Sequence, residues 1–141
     1  MSKSEIKPLK WKPIPGVGYS VERRPDGGMH LVFTDLSPAT INHWREFGIS
    51  HLLDSDRLTT NLYDLRQIED IPREAIDAAI ELNTDPSVRN IRLAVVVSSE
   101  EVVQAMRKID ALSAGSGARM SIFTDIDEAK AWLDRPLTTL V

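Results

Sequence analysis

Residues 91–98 read IRLAVVVS, and the fold turns on how that stretch is taken. Leu93 to Val97 form an unbroken aliphatic run rich in valine, whose branched Cβ suits a pleated strand better than a helix. Successive side chains of a strand point to opposite faces, so a continuous apolar run means that both faces are covered. That is the setting of a central parallel strand, and parallel neighbours need a crossover, usually a helix. The stretch therefore predicts an α/β fold.

The flanks supply the crossovers. Downstream, Ser98-Ser99-Glu100-Glu101 has capping-box spacing from Ser98 to Glu101. The helix it opens buries Val102, Met106 and Ile109 and ends near Gly115. RMSIFTD, residues 119–125, reads as a last strand. Asp125 with Glu128 then caps a short helix carrying Ala129, Trp132 and Leu133, which Pro136 stops. Upstream, LTTNLYDL, residues 58–65, reads as an inner strand. Asp70 and Pro72 start a helix with Ala75, Ile76, Ala79 and Ile80 as its buried stripe, and Asp85-Pro86 lies beyond its end. Ser37-Pro38 opens an earlier helix to about Leu53, with Ile41, Trp44, Phe47 and Leu52 on one face and a bend marked by Gly48. Before it, VGYSVERR (17–24) and MHLVFTDL (29–36) flank PDGG (25–28), a hairpin signal, because Asp-Gly supplies the positive φ of a tight turn.

The predicted order is β-β-α-β-α-β-α-β-α. It makes a single α/β domain over residues 16–136, with a mixed, mostly parallel sheet of about five strands and about four helices. Residues 1–15 read as a separate basic, Pro-rich tail, where Lys3, Lys7, Lys10 and Lys12 alternate with Pro8, Pro13 and Pro15 around Trp11. Residues 137–141 form a short C-terminal tail.

Composition narrows the function classes. The 141 residues carry 17 basic against 21 acidic side chains, a net charge of −4 that repels a nucleic-acid backbone. With no cysteine, disulfides, thiolate catalysis and thiolate metal sites are excluded, and a cytoplasmic location is expected. No apolar run approaches the roughly 20 residues of a membrane span. His43 and His51 lie eight residues apart, too far for the i, i+4 pair of a zinc helix, so no metal site is expected. SAGSGAR, residues 113–119, matches no phosphate-loop or nucleophile-elbow spacing, and a helix end with a connection accounts for it.

The order of elements, with LYDL, then RLAVVV, then Phe123, Asp125, Glu128, Ala129, Trp132 and Leu133 in the final F-x-D-x-x-E-A-x-x-W-L, resembles the SpoIIAA-like family. That family is a branch of STAS-related domains also compared with CRAL-TRIO lipid carriers, and the resemblance covers about residues 17–134. It implies a STAS-like fold and a binding or regulatory role. Anti-sigma-factor antagonists of the STAS group carry a phosphorylatable serine entering the helix after the strand that here ends at Asp64. In this chain that segment is Pro72, Arg73, Glu74 and Ala75, and no hydroxyl occurs between Tyr63 and Thr84.

Open parallel sheets gather ligands beyond the carboxyl ends of their strands. Those ends carry Asp64, Arg66, Ser98, Ser99 and Asp125, the candidates for a polar ligand, and capping explains the same residues. Trp44, Phe47 and Leu52, with Leu137, Leu140 and Val141, are the candidates for an apolar groove. The reading is a non-catalytic binding or regulatory module without a cofactor. It acts through a protein partner, a second copy included, or through a small apolar ligand. Two alternatives stay open: a phosphoswitch antagonist using another hydroxyl such as Ser98 or Ser99, and a small enzyme built on the strand-end polar residues.

Overall fold

The structure, a computed structural model, describes residue 12 and residues 14–25, 28–54, 59–85, 91–115 and 118–135, with the backbone alone at 49–54, 59 and 118. The basic tail up to residue 11, the central Asp26-Gly27 of the hairpin turn and the end of the chain from Pro136 lie outside these residues.

Five strands form one sheet in the order of the chain: β1 (Tyr19–Arg23), β2 (Met29–Phe33), β3 (Thr59–Asp64), β4 (Ile91–Val96) and β5 (Ala118–Phe123). β1 and β2 are antiparallel, with Tyr19 opposite Phe33, and the other three pairings are parallel. The helices are α1 (Pro38–Asp54), α2 (Arg73–Asn83), α3 (Glu100–Leu112) and α4 (Ile126–Leu133). The expected order of elements is thus the observed one.

Strand order sets the layers. From β2 to β5 the chain steps the same way three times, and right-handed crossovers of one direction lay their helices on one face. α1, α2 and α3 share that face, packing on Tyr19, Leu31, Phe33 and Val95. α4 packs alone on the opposite face, where Leu62, Ala94 and Val96 meet Ala129 and Leu133. β4 is buried at all six positions between these layers, as its continuous apolar run requires.

Several local expectations shift. The buried positions of α2 are Ala75, Ala78 and Leu82, while Ile76, Ala79 and Ile80 are partly buried. α2 begins at Arg73 after Pro72, and no side chain, Asp70 included, caps it. α1 continues through Gly48, where a Cβ would stand 3.1 Å from Leu82 of α2. Glycine at that point lets two crossing helices approach closely, so it serves packing and not a break. α3 is capped by Ser99, whose hydroxyl accepts from the Val102 amide at 3.2 Å, and not by Ser98.

Candidate functional site

The strand-end residues do come together. Asp64 ends β3 and accepts from the Arg66 guanidinium at 2.9 and 2.7 Å, and from the Arg66 amide at 3.1 Å. Burial alone raises the Asp64 carboxyl, but the Arg66 side chain and amide outweigh it and hold the group below its ordinary range. Asp64 in turn raises Arg66, and Asp125 adds to that field. Ser98 donates to the Arg66 carbonyl at 2.7 Å, and Ser99 donates to the Glu69 carbonyl at 2.9 Å while capping α3. Asp125 caps α4 through the Asp127 amide at 2.8 Å. Ser99 thus ties the loop after β3 to the start of α3, Ser98 ties that loop to the end of β4, Asp64 and Arg66 pair within it, and Asp125 caps α4. They are brought together, and their hydrogen-bonding capacity serves the joints between strands and helices.

Charge is concentrated on the α4 face. Arg92, the second residue of β4, is only 8% exposed. Its Nη1 donates to the carbonyls of Trp132 at 2.8 Å and Arg135 at 3.1 Å, and its guanidinium lies 5.1 Å from the Trp132 ring centroid. A cation thereby meets the C-terminal carbonyls and negative dipole end of α4. Arg24, also buried, pairs with Asp134 at 3.0 Å, beyond the same helix end. His30 stands on this face, across from Glu22 of β1. Its Nε2 is enclosed and makes no hydrogen bond. Burial first, then Lys130, lower its pKa, against Asp64 and Glu22. Among the described residues no group of three or more His, Asp or Glu is arranged to hold a metal ion, and no helix is long and apolar enough to cross a membrane.

The opposite face contains a partly open apolar pocket. A chamber of about 90 Å³ lies in the layer between the sheet and the helices. Its α2 wall is Ala75, Ala79, Leu82 and Asn83; its sheet wall includes Phe33, Tyr63, Leu93 and Val95. The cause is local. α2 presents alanines to the sheet, and small side chains on a helix held off by its larger neighbours leave space that nothing else fills. Trp44 of α1 and Met106 and Ile109 of α3 close the sides. No lining side chain carries a charge.

One hydrogen bond lies between two of the wall residues. Trp44 Nε1 donates to the Tyr63 hydroxyl at 3.2 Å. Trp44 stands edge-on to both Phe33 and Tyr63, while Tyr19, Phe33 and Tyr63 stack in turn across β1, β2 and β3 with ring centroids 5.0 and 6.1 Å apart. Burial raises the Tyr63 phenol, so it stays protonated.

No protein-family model, no curated protein and no solved structure matches this chain.

Of the residues proposed for an apolar groove, Trp44 lines the chamber, Phe47 packs half-buried against the core, and the side chain of Leu52 lies outside the described residues, as do Leu137, Leu140 and Val141. Sequence reasoning missed Tyr63 and the alanines of α2. Their signal was present as an Ala-rich helix stripe facing an aromatic strand position, but a stripe of alanine looks the same whether the partner layer comes close or stands off.

Proposed function

We propose that this chain is a non-catalytic binding module whose binding element is the apolar chamber beneath α2. The observation that carries the reading is the chamber: about 90 Å³, free of charged side chains, with the Trp44–Tyr63 hydrogen bond and the Asn83 amide, which donates to Ser113, as its polar features. Small-molecule sites are concave, mostly apolar and carry a few placed polar groups. A dry apolar void of roughly 150 Å³ takes up benzene, so this chamber suits a smaller guest, or one that leaves part of itself outside. The strand-end cluster supports the non-catalytic part, because Asp64, Arg66, Ser98, Ser99 and Asp125 are occupied with one another and with helix caps. The SpoIIAA-like resemblance, with its comparison to lipid carriers, favours the same reading. A phosphoswitch has less support, since both Ser98 and Ser99 donate to backbone carbonyls.

The test is xenon titration followed by amide and methyl NMR. Saturable shifts centred on Ala79, Leu93 and Val95, abolished by Ala79→Leu, are expected. Shifts scattered over the surface without saturation remove the reading. So does robust turnover of any substrate that is lost on changing Asp64.

A further inference from the structure

We infer that the chamber is built for an uncharged guest carrying one hydrogen-bond acceptor oxygen of the carbonyl or ether type, held by the Tyr63 hydroxyl. This rests on the chamber being a binding site, and it names the chemistry of what binds there.

A phenol has one proton to donate and lone pairs to accept with. The Tyr63 oxygen accepts from Trp44 Nε1. No acceptor for the Tyr63 proton occurs among the described residues, where its other contacts are ring stacking on Phe33 and the edge of Trp44. Tyr63 is partly buried, and a hydroxyl proton left unused in an apolar setting costs about 1–3 kcal/mol. Tyr63 is itself a wall residue of the chamber, and so is the Trp44 that fixes its oxygen. The Trp44 bond also orients the phenol, leaving its proton as an unengaged donor on a largely apolar wall, while the Asn83 amide on the α2 side is turned to Ser113.

The lining limits the guest further. A carboxylate or phosphate would enter a space with no cation on its wall, and an isolated buried charge is strongly disfavoured. An alkylammonium would meet no carboxylate there. A pure hydrocarbon would fit, yet leave the phenol proton unmatched. A short neutral ketone, aldehyde or ether meets all three conditions: size, neutrality and a single acceptor oxygen.

The test compares cyclopentanone with cyclopentane, matched in shape and differing in the acceptor. Binding is read from the Trp44 indole N–H and the Ala79 and Val95 NMR signals, and the ketone is also read from its carbonyl stretch. In the unaltered chain the ketone is expected to bind about fivefold tighter than the hydrocarbon, with its stretch shifted to lower frequency. Tyr63→Phe is expected to bind both equally with no shift in the stretch, and Ala79→Leu to bind neither. Equal affinity of the two probes for the unaltered chain overturns the inference and leaves the chamber reading standing, as for a phenol proton taken by a resident water. A ketone preference that survives in Tyr63→Phe overturns it as well. If neither probe binds, the chamber reading falls and this inference with it.

Discussion

The two faces of the sheet solve the same problem in opposite ways. On one, α1, α2 and α3 bury a broad apolar layer with a stacked aromatic row, and the packing leaves a chamber. On the other, the eight-residue α4 covers the centre of the sheet with a small, tight cluster, and two buried arginines hold its C-terminal end. A helix of that length is marginal alone in water. It is held at its C-terminal end by Arg92 from β4 and by Arg24, which directly follows β1. Three mutually supporting helices tolerate a void, whereas one short helix needs close packing and charge. The chamber and the clamp therefore each follow from how many helices the topology places on a face.

The largest expected effect tests the tight face. Leu62→Ala empties the centre of the α4 cluster and should cost about 3 kcal/mol in denaturant unfolding. Hydrogen exchange should show α4 losing protection before α1–α3, and uniform loss across all four helices would erase the distinction between faces.

A matched pair of substitutions sharpens it. Ala129, fully enclosed under α4, has no room for leucine, and Ala129→Leu should cost about 2 kcal/mol or more. Ala79→Leu enters the chamber and should change stability by less than about 0.5 kcal/mol in either direction. Similar losses at both sites, measured by chemical denaturation, would mean that the chamber is no void.

Arg92→Met keeps volume but removes the clamp. It should cost about 2 kcal/mol, since the carbonyls of Trp132 and Arg135 lose a charged donor. Faster amide exchange confined to the last turn of α4 is the accompanying sign.

Smaller effects lie in the pH dependence. Asp64 is depressed in the folded state, so its contribution is complete above the unfolded value near ~3.9 and is lost as pH falls through the folded value. Arg66→Gln weakens that contribution and should move the acid-unfolding midpoint to higher pH, by an amount matching the ~0.2–1 kcal/mol of a partly exposed pair. His30 works in a higher window. Its folded pKa lies below the unfolded value near ~6.5, so below that pH the unfolded state binds more protons and stability falls as pH falls. His30→Gln should flatten this part of the profile. An unchanged slope would show that the imidazole beneath the flank of α4 is not held neutral.

How much of this was legible beforehand differs by residue. The burial of Met29, Leu31, Phe33, Val102, Met106 and Ile109 follows from alternation and helical spacing, and each is buried. Capping at Asp125 follows from its spacing, but the choice of Ser99 over its neighbour Ser98 depends on how the loop after β3 seats both hydroxyls, Ser98 on the Arg66 carbonyl and Ser99 on that of Glu69. That loop is distant in sequence. Arg92 reads as an interruption of an apolar strand until α4 is placed above it. The strand-end candidates were found as a set because parallel strands bring their carboxyl ends together, and their engagement with one another needed the three-dimensional arrangement.

The sequence by itself determined the class of fold, the order of nine elements and the central place of β4, because those depend on periodicity and on caps that local residues supply. Only the tertiary structure decided that three helices share one face, that two arginines clamp the fourth, and that Tyr63 and Trp44 border an unfilled space. Packing between distant elements is set by the summed volumes and the stand-off of whole layers, and no local pattern encodes a gap.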